Sequence, residues 1–290
     1  VTMLSQHVAG FLVARSYAAP SRKQRTSVLN RFIAEVGDRP PADLTPLLIL
    51  AWWGELAELA DASKRSHLSA VRAFIAHLID IGEMSVDPTI SISRPPDRPR
   101  PPITIQQAEV VTLLATIRHP RDRCAAAIML GCGLRSGDVV RIDVRNVDLD
   151  GRVLRVRGKG ERERLVPIPT VTAHEIRCYL RHAPADSGPL LRSRGGRRMS
   201  AHTLRCRLTD RLYDAGIKQG PHDGRSSHVL RRTCATMLLE DGVSIRDVQT
   251  VLGHASLSTT QRYLALPETK HLVGVIERGP LAGIPLAEAS

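Results

Sequence analysis

Residues 227–238 read SHVLRRTCATML, an apolar helical pattern interrupted by one histidine and two consecutive arginines. At about 100° per residue, His228 and Arg231 share one face of that helix, while Arg232 points to a flank or an ion pair. A helix that must contribute to a core carries such charge for one of two reasons: it is a solvated edge, or its cations face an anion. The rest of the chain decides between them.

The composition leans toward the anion. The chain has 290 residues, enough for two domains with a core in each. Its net charge is +12, with 36 arginines against 5 lysines, and its pI is near 10.2. Such a field favours a polyanion, nucleic acid before a membrane surface. The arginine bias suits bidentate phosphate binding, although a GC-rich genome would give the same bias. Cys124, Cys132, Cys178, Cys206 and Cys234 are odd in number and form no C-x-x-C pair, so neither a disulfide framework nor a zinc site is expected. They read as buried thiols in a reducing cytoplasm. The longest apolar run, LLILAWW at 47–53, is far short of the roughly 20 residues of a membrane span. The first residues lack the charged start and apolar stretch of a signal peptide. A cytoplasmic protein with no membrane contact is expected.

Moving outward from the quoted helix, the clearest boundary is SRPPDRPRPPIT at 93–104, whose five prolines stop helices and stiffen the backbone. It separates a domain over 1–93 from one over 105–290, with 94–104 as linker. Before it, SVLNRFIAEVG predicts a helix stopped by Gly37, and SKRSHLSAVRAFIAHLIDIG one stopped by Gly82. In the latter, Leu68, Val71, Ile75, Leu78 and Ile79 form an apolar stripe. Arg65, Ser69, Arg72 and Ala76 form a second stripe, basic and small enough to lie against DNA; the competing reading is a solvated edge. After the linker, Thr104 with Gln107 predicts a capping box for a helix through Leu114. RDRCAAAIML predicts a second helix, GCGLRSGD a glycine-bracketed turn, and RVLRVRGKGERERLVPI a β-hairpin turning at Gly158, Lys159 and Gly160. Helices return from Thr172, residues 268–277 suggest one more, and the last dozen residues read as untethered. The expected class is mainly α with a small β-sheet (α+β).

Several separated segments each hold a residue suited to a phosphodiester. Arg135 sits in GLRSGD, with Asp138 three residues on; taken alone it is a structural arginine paired with a carboxylate. Lys159 occupies the hairpin tip, where a lone lysine is ordinarily just solvated. His228 and Arg231 share their helix face. Then VLGHASLSTTQRYLAL brings His254 and, nine residues later, Tyr263.

Taken in order, GLRSGDVVRI, GKGERERLVPI, SHVLRRTCATMLLEDG and IRDVQTVLGHASLSTTQRY resemble the arginine, lysine, His-x-x-Arg and His-plus-nucleophile boxes of the tyrosine recombinase (phage integrase) family. The resemblance covers about 102–266. HLSAVRAFIAHLIDIGEMSVDP extends it to the family's helical core-binding domain. No further arm-binding domain is recognisable, so the simple two-domain type is expected. The departures are Asp138, where the family more often has glutamate, and a proline displaced upstream of the His box, in PHDGRSSHVLRR.

The resemblance implies a site-specific recombinase clamped around double-stranded DNA, without cofactor or metal. Arg135 and Arg231 would neutralise the phosphate, Tyr263 would be the nucleophile, and His228 would accept its proton. Lys159 would protonate the departing 5′ oxygen, His254 would hydrogen-bond the phosphate, and Asp138 would buttress Arg135. It further implies a homotetramer on two DNA sites, assembled from monomers or dimers and open to accessory proteins, with the segment around 264–277 docking on a neighbour. Integration or excision of a mobile element and dimer resolution all fit. The rival readings are a type IB topoisomerase-like strand relaxation and a non-catalytic DNA-binding protein.

Overall fold

The computed structural model describes residues 2–17, 19–96, 102–157, 163–221, 223–253, 274 and 276–284. The chain divides into two compact units, Val1–Arg100 and Pro101–Ser290.

The first unit is helical: α1 (Leu4–Ala14), α2 (Ala19–Val36), α3 (Pro46–Glu55) and α4 (Asp61–Asp80). Local chemistry sets these limits. Thr45 caps α3 by accepting from Leu48 N at 3.4 Å, with Pro46 in the first turn. Gly37 follows α2 at φ +81°. After α4, Gly82 N donates to Ile79 O at 3.0 Å and Glu83 N to Leu78 O at 2.9 Å, the paired bonds of a left-handed glycine stop. Leu68, Val71, Ile75 and Leu78 are buried as their spacing predicts, with Phe74 among them; Ile79 is only half-buried at the edge. Edge-to-face pairs Phe11–Phe74 and Phe32–Trp52, with centroids 5.5 and 5.1 Å apart, lock this core.

The second unit comprises α5 (Gln107–Thr116), α6 (Pro120–Gly131), α7 (Ser136–Val139), β1 (Val147–Asp148), β2 (Val153–Arg157), β3 (Glu163–Pro167), α8 (Thr170–His182), α9 (Ala201–Asp214), α10 (His228–Glu240) and α11 (Ile245–Leu252). Its centre is α6, in which every residue from Cys124 to Leu130 is fully buried. Three consecutive alanines and Gly131 make that closeness feasible. A Cβ on Gly131 would lie 2.2 Å from Thr172 Oγ1, and that hydroxyl bonds Ala127 O at 3.1 Å. The strands form an antiparallel sheet in the order β1-β2-β3, with Val156 opposite Arg164 and Arg157 opposite Glu163. The predicted turn at Gly158, Lys159 and Gly160 lies outside the described residues.

Three expectations change. The start of α5 is capped by Glu109 accepting from Gln106 N at 2.7 Å, two residues beyond the predicted Thr104–Gln107 box. Cys206 is exposed, and Cys178 is only half-buried. Residues 279–284 are tied down: Leu281 is buried against Gly131, and Gln107 Nε2 donates to Ala282 O at 3.2 Å. Just before them, Glu277 accepts from Thr170 N at 3.0 Å and Thr170 Oγ1 at 2.7 Å and pairs with Arg152. Of the helix predicted over 268–277, only 274, 276 and 277 are described. Among the described residues no helix is long and apolar enough to cross a membrane.

Candidate active site

Where α6 ends, the chain reverses through Gly133, at φ +60°, because a Cβ there would meet Leu252 Cδ2 at 2.5 Å and Cys234 Sγ at 3.3 Å. This turn delivers Arg135 to the position preceding α7 and buries Asp138 inside it. Asp138 gathers three guanidinium groups: Arg141 Nη2 at 3.0 Å, Arg164 Nη2 at 3.7 Å and Arg135 Nη1 at 3.9 Å. Its carboxylate also accepts from Arg135 N at 3.4 Å. Arg135 nevertheless keeps 45% of its side chain exposed.

Helix α10 supplies the other wall. Arg231 is buried, donating from Nη1 to Gly133 O and from Nη2 to Leu252 O at 3.0 Å, so it joins the α6 turn to the end of α11. Each of these nitrogens carries a second N–H. Burial, and then the neighbouring Arg135 charge, lower the Arg231 pKa to about 10, with Asp138 opposing; the group remains charged at neutral pH. His228, in the first turn of α10, is exposed. Desolvation lowers its pKa below the usual 6.5, and the Arg232, Arg231 and Arg135 charges push the same way. At neutral pH its imidazole is therefore uncharged and can accept a proton. Arg232 is exposed on the flank, as the helical geometry predicts.

Four of the seven predicted site residues in the second unit, Arg135, Asp138, His228 and Arg231, are thus neighbours. Lys159, His254 and Tyr263 lie outside the described residues. The sequence reading missed Arg164. Its signal was period-two alternation in β3, which turns Arg164 and Val166 inward while Glu163 and Leu165 face solvent. An arginine on the inward face of a half-buried strand calls for a partner, and Asp138 is one.

In the first unit, the basic stripe divides by use. Arg72 donates from Nε to Thr89 Oγ1 at 3.1 Å and from Nη2 to Thr89 O and Ile92 O at 3.0 and 2.7 Å, tying the segment after α4 back onto it. Arg65 donates to Pro96 O, and Ser69 is exposed beside it. With Arg94 and Leu68, these three line a shallow basic depression.

Residues 104–270 match the family model described as the phage integrase family. Over 241 residues the chain is 34% identical to tyrosine recombinase XerC of Pelobacter propionicus, covering 79% of this chain and 78% of that protein. Over 272 residues it is 31% identical to tyrosine recombinase XerC of Actinobacillus succinogenes, covering 90% of each. Lambda integrase, solved as a tetramer bound to a Holliday junction, shares the fold with a TM-score of 0.73 at 18% identity, covering 91% of this chain and 80% of that one. With a family match over more than half its length and relatives above 30% identity over most of it, the chain belongs to the phage integrase family, the tyrosine recombinases.

Proposed function

We propose that the protein is a site-specific DNA recombinase that breaks and rejoins duplex DNA through a 3′-phosphotyrosyl intermediate on Tyr263. The observation that carries this reading is the charge imbalance at the α6 turn among the described residues: Arg135, Arg141 and Arg164 pair with one buried carboxylate, Asp138, and Arg231 lies within reach of the same charges. Crowding like charges is unfavourable, and burial, and then the neighbouring Arg135 and Arg164 charges, already lower the Arg231 pKa. An incoming phosphate relieves that cost, and it does so most as phosphorus becomes five-coordinate and its oxygens gain charge.

The half-exposed Arg135 and the second N–H groups of Arg231 would take the non-bridging oxygens. The Tyr263 phenol, with an ordinary pKa of about 10, is only about 0.1% ionised at neutral pH and needs an acceptor. His228 suits that role because desolvation, reinforced by the surrounding arginines, keeps it neutral. As the Tyr263 oxygen bonds to phosphorus, the bond to the 5′ oxygen breaks, and Lys159 would supply that oxygen's proton while His254 hydrogen-bonds the phosphate. The phosphotyrosyl ester retains the bond energy, so the 5′ hydroxyl of a second duplex can attack it and release the tyrosine without ATP.

Exchange between two duplexes requires several protomers, and the tetramer of lambda integrase on a Holliday junction supports four. The helical unit over 1–93 would close around the DNA as a core-binding domain through Arg65, Ser69 and Arg72. A DNA substrate inside the cell would make the protein cytoplasmic. The test is to express wild type and Tyr263→Phe with the DNA that flanks the gene, denature, recover protein-linked DNA and sequence its ends. Discrete ends with wild type alone are expected. Equal recovery from both proteins would overturn the reading.

A further inference from the structure

Arg164 occupies a position that an ordinary salt-bridge residue does not. It lies on β3, five residues beyond Lys159 in the chain, and it touches the end of α11, immediately before His254. Its Nη2 is 3.5 Å from Leu252 O, the same carbonyl that Arg231 uses. The guanidinium lies against Gly253 so closely that a Cβ there would fall 2.5 Å from Cζ, 2.6 Å from Nε and 2.7 Å from Nη1. Its Nε is buried and has no hydrogen-bond partner among the described residues. Asp138, at 3.7 Å, is nearer to Arg141 than to Arg164. Packing against Gly253 thus holds this group in place alongside its ion pair.

From this contact, and resting on the recombinase reading above, we propose that Arg164 is a positioning residue: it clamps the strand that follows Lys159 to the helix end that precedes His254 and Tyr263. Gly253 is the other half of the clamp. Its φ of +63° suits a left-handed helix stop, and its missing side chain is what lets the guanidinium lie flat against the backbone. Two segments that must meet at one phosphate are thereby set against each other by a single side chain. A misplacement of about 1 Å in such an arrangement costs up to roughly 10²-fold in rate.

The experiment uses the full-length protein and a nicked duplex carrying the cleavage site mapped with wild type, on which covalent product accumulates in one turnover. Arg164→Gln should slow covalent-product formation about 10- to 100-fold while leaving the Kd for the same duplex within about threefold. Arg164→Lys, which keeps charge but loses the flat fork, should restore only part of the rate. Gly253→Ala should reproduce the defect, and the double variant should be no slower than the slower single, because both changes open one clamp. Wild-type rates in both single variants would overturn the proposal, as would effects that multiply in the double variant, or a rate loss matched by an equal loss of DNA binding and of thermal stability. If wild type forms no more covalent product than Tyr263→Phe, the recombinase reading itself falls and takes the clamp with it.

Discussion

The two ends of α6 are built from the same residue types and do different work. At its start, Asp122 is almost wholly buried and bonded by Arg121 at 3.0 Å and Arg207 at 3.2 Å, with Arg211 at 3.9 Å. Arg123 has its own acid, Glu175 at 2.9 Å, and Arg211 has Asp214 at 2.6 Å. Four guanidinium groups meet three carboxylates, and Arg121 sends its remaining bond to Arg192 O. At the other end, three guanidinium groups pair with Asp138, two of them only at 3.7 and 3.9 Å, and Arg231 beside them has backbone carbonyls as its hydrogen-bond partners; among the described residues no second carboxylate pairs with this group. The first end is an ionic tie between helices. The second holds an excess of positive charge that backbone carbonyls hydrogen-bond without neutralising. What separates a structural cluster from an anion site is thus the local charge balance and the length of its ion pairs, rather than the number of arginines.

The comparison breaks most readily at Asp122. Asp122→Asn leaves the buried Arg121 guanidinium without its counter-charge and should cost about 3 kcal/mol of stability, measured by urea unfolding; a loss under about 1 kcal/mol would mean the tie is slack. Arg135→Ala should instead reduce covalent cleavage on the order of 10²-fold with little change in unfolding, since a half-exposed side chain carries little of the core. Single-turnover rates beside denaturation curves distinguish the two. Asp138→Asn sharpens the contrast, because it loosens Arg135 yet makes the site more positive. Cleavage should fall about tenfold, some 1.4 kcal/mol, while DNA affinity measured by gel shift holds or rises. The smallest effect concerns His228. Its pKa is depressed below 6.5, so the neutral acceptor persists as pH falls and is lost only in the more acidic range. The acid limb of cleavage under kcat/KM conditions should therefore lie below pH 6.5; a limb above it would contradict the desolvated, arginine-flanked setting.

Much of this was legible in the chain because it is local. Gly37 and Gly82 stop helices wherever they occur in such patterns, the α4 stripe follows helical spacing, and the hairpin strands alternate. What escaped notice depends on distant partners. The start of α5 was misplaced because Gln106 with Glu109 offers a competing capping register two residues from Thr104 with Gln107. Leu281 stands isolated between Pro280 and Ala282, with no periodicity to mark it as buried, and its cavity is made by Gly131 and its neighbours some 150 residues earlier. The bonds of Arg72 were not readable because its carbonyl acceptors sit in the irregular segment after α4. Arg164 was hidden in a run of charges, ERER, whose exposed members mask the one that points inward. The order of Arg135, Lys159, His228, Arg231, His254 and Tyr263 was readable in the sequence, but the sharing of Asp138 among Arg135, Arg141 and Arg164 was not.

The most direct test of the charge-balance account places Arg231→Ala beside Arg207→Ala on one nicked duplex and measures covalent protein–DNA product in a single turnover. The account predicts a loss of at least about 100-fold for Arg231→Ala and a rate within about twofold of wild type for Arg207→Ala. Equal losses in the two variants, or cleavage by Arg231→Ala at the wild-type rate, would contradict it.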